Sequence, residues 1–250
     1  MTDIIIKKLS DSKGARWTAL IIVSFTMMMG YFLTDVMSPL ENMLETSCAQ
    51  GGMGWTSSEY GFFSGSYGII NVYLFMLFFG GIILDKMGIR FTGSMASSLM
   101  VIGAFIKFYA IAYISPEGTT YVNLPMFGLD HVMVKNQMLL ASLGFSIFGV
   151  GCEITGITVS KIITKWFTGH ELALAMGIQV ALARLGTAGA LSISVPIAKS
   201  FSLSTPILFG ASMLCIGLLA FFTYCIMDKK LDASTDAINA RNNTEEEEGF

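Results

Sequence analysis

Residues 80–90 read Gly80-Gly81-Ile82-Ile83-Leu84-Asp85-Lys86-Met87-Gly88-Ile89-Arg90, between two long apolar runs. Within eleven residues the chain leaves apolar composition for one acid flanked by cations, and then returns to it. The physical content of the stretch is a glycine that lets a helix end approach a neighbour, an acid at a surface, and a second glycine able to take a positive φ in a tight turn. A short basic turn between two apolar runs is how a chain reverses at the face of a lipid bilayer.

The composition agrees with that reading. The chain has 250 residues, of which 53% are hydrophobic and only 13% charged, and its mean hydropathy is +0.65. A soluble domain carries about 25% charged residues, whereas a bilayer core about 30 Å thick takes about 20 apolar residues per crossing. Six candidate spans follow, at about 17–37, 60–84, 92–114, 138–162, 172–198 and 204–227. The first has no small-residue cleavage site and runs on past the length of a signal peptide, so it is expected to remain in the mature protein. Pro39, Pro116 and Pro125 fall in loops, Ser204-Thr205-Pro206 reads as a helix start, and Pro196 lies near the end of the fifth span. Cys48, Cys152, Cys215 and Cys225 form no CxxC pair, and three of them lie in apolar runs, as small hydrophobes do.

Basic residues orient the spans, because Lys and Arg are retained on the cytoplasmic side. With the N-terminus inside, the inner segments hold Lys7, Lys8, Lys13, Arg16, Lys86, Arg90, Lys161, Lys165, Lys229, Lys230 and Arg241, eleven of the fifteen cations. The outer loops hold Lys135 and Lys199, leaving Lys107 and Arg184 within the membrane. An even number of spans with both termini cytoplasmic is therefore expected. The domain reading is a cytoplasmic segment at 1–16, a six-helix transmembrane bundle at 17–227 and an acidic cytoplasmic linker or tail at 228–250. That tail ends in Glu245 to Glu248 and reads as solvated and disordered. The outer connections are Glu41 to Glu59, with three acids and no base, and the polar stretch Ser115 to Gln137. A net charge of −3 and no basic patch give no reason to expect a nucleic-acid partner.

The pattern G-x-x-x-D-[RK]-x-G-x-[RK], carried here by Gly81, Asp85, Lys86, Gly88 and Arg90, resembles the loop 2–3 signature of the major facilitator superfamily of secondary transporters. The resemblance implies an all-α membrane fold whose N-terminal bundle is a 3+3 inverted repeat. It also implies a gating role for those five residues, in which Asp85 meets the positive N-terminal end of a helix from the other half of the transporter.

A second constellation lies in spans four and five: Gly144 to Glu153, Lys165-Trp166-Phe167-Thr168-Gly169-His170-Glu171-Leu172, and Gly177 to Gly186. Glu153 is about nine residues from the inner end of span four and Arg184 about twelve from that of span five, depths of roughly 14 and 18 Å. An unpaired charge at that depth costs about 2.5–3.5 kcal/mol on insertion scales. Opposite charges at matching depth suggest an ion pair that holds the helices in register, or a shared water-filled site. The runs G-x-G-x-E, K-W-F-x-G-x-E-L and G-[IL]-Q-x-x-x-A-R-[IL]-G are similar to those of the lysosomal dipeptide uniporter branch of the superfamily and its bacterial relatives. The resemblance implies substrate binding at Glu153 and Arg184, and places Gln179 in the same segment. An acid and a bidentate arginine suit a zwitterion, and also a monoanion taken up with a proton if burial raises the acid's pKa. Many members carry an arginine four residues before the first glycine of G-x-G; this chain has Phe145 there, so that residue's part in proton coupling does not carry over.

Other polar residues admit two readings each. Asp35, at the outer end of span one, is a solvated helix end or part of the outer mouth of a cavity. Lys107 can snorkel to the interface along its own stem. Tyr67 and Asn71 share a face of span two and line the cavity or tie helices together. Ala173, Gly177, Ala181, Gly186 and Gly189 are spaced for close helix packing, and Met27 to Met29 read as apolar filler. His131 and His170 lie in loops without ligand-spaced partners, so no metal or cofactor is expected. No HExxH or GxSxG motif points to an enzyme.

The function expected is a secondary transporter, present here as a half or fragment, that moves a small zwitterionic solute such as a dipeptide by alternating access. Its partners would be the lipid bilayer, a small polar organic substrate and a second six-helix bundle, since the superfamily resemblance implies about twelve spans. The alternatives are a proton-coupled or exchange transporter of small organic anions, and a non-transporting membrane scaffold or decayed transporter fragment. Short inner loops without a sorting motif lean towards a bacterial cytoplasmic membrane over a lysosomal one.

Overall fold

The structure, a computed structural model, describes residues 9–125 and 129–248, and side chains within them at 9–123, 125 and 131–239. Lys7 and Lys8 lie outside the described residues, as do the side chains of Arg241 and of Glu245 to Glu248. The architecture is a helical bundle: α1 (Lys13–Asp35), a short α2 (Glu41–Glu45), α3 (Ser57–Tyr73), α4 (Met76–Tyr113), α5 (Asn136–Phe167), α6 (Leu172–Ser200) and α7 (Thr205–Glu248). Among the described residues, five helical stretches are long and apolar enough to cross a membrane, beginning at Lys13, Met76, Asn136, Leu172 and Thr205.

The second expected span, 60–84, is not one helix. It breaks after Tyr73, where Leu74 is non-helical and Phe75 adopts a left-handed conformation (φ 50°). Its remainder opens α4. Within α4, Gly88 has φ 79° and ψ 173°, a combination essentially reserved for glycine. The register shows what happens there: Gly80 lies against Ile154 of α5, and after the turn Ala96 and Met100 lie against Gly151 of the same helix. The chain thus folds back on itself at Gly88, giving two antiparallel legs, 76–87 and 89–113. The positive-φ role expected of this glycine is met, while the close-approach role falls to Gly80: a Cβ there would stand 2.6 Å from Ile154 Cγ1, whereas one at Gly81 would meet nothing within 4 Å.

α1 runs through the centre. Gly30 faces Cys152 of α5, Met28 faces Gly186 and Phe32 faces Gly189 of α6, and Leu33 faces Gly210 of α7. Among the described residues, two large apolar clusters fill the bundle, one around Phe32, Leu33, Phe63 and Phe148 and one around Leu20, Ile163, Trp166 and Tyr224, with a small third at Ala96, Val150 and Ile154. Gly186 and Gly189 serve helix packing as expected. Ala173, Gly177 and Ala181 do not: they point outward, and a Cβ on Gly177 would meet nothing within 4 Å.

Two further expectations are corrected. The connection 115–137 is not a plain loop but carries an antiparallel hairpin, β1 (Thr119–Leu124) and β2 (Leu129–Lys135), in segments rich in Val, Thr and Tyr, which favour strands. Glu59, at the capping box that starts α3, ties this hairpin down by accepting from the Lys135 backbone N–H at 2.7 Å. The polar stretch from Asp228 continues α7 as helix to Glu248. Asp228 itself is fully buried, and Leu9, near the start of α1, donates its backbone N–H to Ser234 Oγ. The beginning of α1 and the polar extension of α7 therefore share one end of the bundle, the end that holds the cation-rich turns.

Candidate functional site

Glu153 and Arg184 sit near the middles of α5 and α6, where turns of helix fix their heights but not their partners. Glu153 is half-buried, and its Oε1 accepts the Tyr67 hydroxyl at 2.8 Å. The hydrogen bond runs from α3 to α5, so Tyr67 ties helices together and at the same time contacts the candidate site. Asn71, one turn further along α3, is half-buried, yet neither its Nδ2 nor its Oδ1 has a hydrogen-bond partner among the described residues. Buried amides are rarely left so.

Arg184 is exposed on α6 and places its guanidinium 5.7 Å from the centroid of the Tyr31 ring on α1. The direct ion pair that matching depth suggested does not form: among the described residues, Glu153 bonds to Tyr67, and Arg184 stacks on Tyr31. Tyr31 lies within electrostatic range of Glu153, Arg184 and Asp35 at once. The sequence reading missed it, because an aromatic in an apolar run carries no signal that separates a site wall from core. Asp35 is half-buried near Tyr31 and Lys107. Gln179 is half-buried on α6, five residues and about 140° around the helix from Arg184, so the two side chains leave α6 in different directions.

Lys107 does not snorkel. It is fully buried, its Nζ donates to the Leu33 carbonyl of α1 at 2.7 Å, and it stands 4.5 Å from the Phe145 ring and 5.4 Å from that of Phe148. Leu33 is among the last four residues of α1, whose carbonyls lack intrahelical donors. A cation is favoured there by the helix dipole and by the faces of the two rings.

At the basic end, the motif residues separate into two groups. Asp85 is largely exposed and pairs with Lys161 of α5 at 2.7 Å, while Lys86 is exposed. Arg90 crosses to α7, 3.1 Å from Asp232 and 3.7 Å from Asp228. Asp228 also accepts from Lys165 at 2.8 Å, from Trp166 Nε1 at 3.2 Å and from the Tyr224 hydroxyl at 3.2 Å. This buried acid, taken from sequence as the start of a solvated tail, gathers the turn after Gly88, the end of α5 and α7. Nearby, Arg16 is buried and bonds to the Ser10 carbonyl at 2.6 Å and to Glu171 at 3.5 Å.

The geometry can be set beside known proteins. No family model matches the chain. It is 26% identical over 168 residues to the lysosomal dipeptide transporter MFSD1 of Danio rerio, a match covering 63% of this chain and 32% of that protein. The proteins of the same name from Bos taurus and Homo sapiens are 28% and 27% identical over 113 residues, 45% of this chain and 19% and 20% of theirs. Over that part of its length the chain resembles these transporters of the major facilitator superfamily. The five apolar helices fit one half of such a transporter, and the matched stretch spans at most about a third of these superfamily relatives. The expected lean towards a bacterial membrane finds no support, since the relatives are named as lysosomal transporters and come from vertebrates. A multi-pass membrane protein is what the comparisons and the apolar helices together support.

Proposed function

We propose that this chain is one helical bundle of a secondary transporter whose substrate is a small zwitterion, a dipeptide first among them. The observation that carries the reading is the pair of opposite charges, each held by a tyrosine and left unpaired with the other. Glu153, fixed by Tyr67, can accept an ammonium group, and Arg184 can hold a carboxylate through two parallel N–H donors. The unsatisfied Asn71 amide would take a peptide carbonyl or N–H. A dipeptide, which the relatives are named for transporting, has this distribution of groups.

Transport by alternating access requires a second bundle across the site. The exposed face of α6, with Leu174, Val180, Leu185 and Leu191 each half exposed or more, supports that partner. So does a groove of about 470 Å³ along Gly61, Gly65 and Gly68 of α3, since small residues let helices approach closely. Asp85, paired among the described residues with an exposed lysine, can exchange Lys161 for a helix end of that bundle as the basic end closes.

The test is uptake of labelled Ala-Ala into liposomes containing the chain together with a second bundle, in competition with N-acetyl-Ala-Ala and Ala-Ala amide. Only unmodified Ala-Ala is expected to compete, and Arg184→Ala is expected to abolish saturable uptake while the protein elutes as wild type. Competition by the acetylated form but not by the amide would replace this reading with organic-anion transport, and full uptake by Arg184→Ala would remove the site.

A further inference from the structure

Opposite charges at one level of a bundle attract each other, and an arginine side chain is long and flexible. Glu153 and Arg184 nevertheless remain apart. Tyr67 holds one carboxylate oxygen of Glu153 at 2.8 Å. The guanidinium of Arg184 rests 5.7 Å from the Tyr31 ring centroid, a cation–π arrangement, and that ring is within electrostatic range of both charges.

We propose that Tyr31 is a positioning residue, a spacer whose ring face keeps Arg184 from collapsing onto Glu153 and so keeps two opposite charges available to one ligand. The inference deepens the transporter reading and rests on it only for the ligand's identity, because the spacing itself belongs to this chain. The ring is what matters, because its face carries the attraction for the cation. Removing the ring lets the two charges pair and leaves the site closed to a zwitterion.

The test needs no second bundle. Phenylglyoxal modifies unpaired arginines, and its rate at Arg184 is read by peptide mass spectrometry on the detergent-solubilised chain. Tyr31→Leu is expected to slow modification of Arg184 by roughly two- to fivefold, the range an ion pair of ordinary strength supplies, and Tyr31→Phe to leave it unchanged. In Tyr31→Leu combined with Glu153→Gln the rate is expected to return to that of Glu153→Gln alone, a recovery that lost packing would not produce. An unchanged or faster rate in Tyr31→Leu, or equal slowing in both Glu153 backgrounds, overturns the spacer role. The substrate reading is tested separately in the same assay: Ala-Ala is expected to protect Arg184 in the wild type. Failure to protect would count against the dipeptide reading while the spacing result stood.

Discussion

Lys107 shows how an amine is accommodated inside an apolar bundle. Its Nζ meets a carbonyl in the last turn of α1 at 2.7 Å and two aromatic faces, so it has three partners. Lys107→Ala leaves that buried carbonyl without its donor. The expected cost is roughly 1–3 kcal/mol, read as a lowered thermal midpoint in detergent; a midpoint equal to wild type would show that the contact contributes nothing. Glu171 offers a test by pH. Its carboxylate accepts from its own backbone N–H, and although partial desolvation opposes the effect, Arg16 and Lys13 add attraction, so its pKa lies below the ordinary 4.5. A depressed carboxylate stabilises the fold above its unfolded pKa, and that contribution is lost as pH falls through the folded value. The midpoint of wild type is therefore expected to exceed that of Glu171→Gln at neutral pH, with the gap closing below about pH 4.5. A gap independent of pH would contradict it. The effect is small because the side chain is solvent-exposed.

At the scale of elements, the turn at Gly88 decides whether residues 76–113 form one rod or two antiparallel legs. Its φ of 79° and ψ of 173° exclude a side chain for backbone reasons alone, since a Cβ there would meet nothing within 4 Å. Gly88→Ala is expected to destabilise by roughly 1–3 kcal/mol. Gly81→Ala, with equal space around it but helical backbone, is expected to be neutral or to stabilise by up to about 1 kcal/mol. Thermal midpoints of this chain distinguish the two, and equal effects would locate the role of Gly88 elsewhere. The same contrast explains the motif's legibility. A glycine between charges announces a turn, but which of two adjacent glycines touches a neighbour depends on the rotation of the helix, and the structure gives that contact to Gly80. The break at Leu74 and Phe75 had no such signal, because both residues are apolar and continue the hydrophobic run that marked the span.

Across the whole molecule, burial is uneven in a way that bears on activity. The central α1 and α5 are well covered, whereas α6 has the smallest buried share of the five long helices and carries the exposed Arg184. On the transporter reading proposed above, alternation between two sides of a membrane requires a second wall facing α6. Liposomes holding this chain alone are therefore expected to show no saturable Ala-Ala uptake, and saturable uptake by the chain alone would contradict the two-bundle reading. The buried network around Asp228 locks the basic end of this wall, joining Arg90, Lys165, Trp166 and Tyr224.

The sequence by itself determined the membrane-spanning class, the placement of most helices, the turn at Gly88 and the identity of the two mid-helix charges. Each follows from local quantities: the length of apolar runs, the cost of unpaired charge in lipid and the φ that only glycine takes readily. Only the tertiary structure decided whom those charges meet. Arg184 rests on Tyr31 and Glu153 on Tyr67, Lys107 turns inward to α1, and Asp228 is drawn from an expected tail into a buried network. These outcomes depend on how each helix is rotated against its neighbours. A rotation of about 100° per residue makes partner choice a property of packing between distant segments rather than of composition along one.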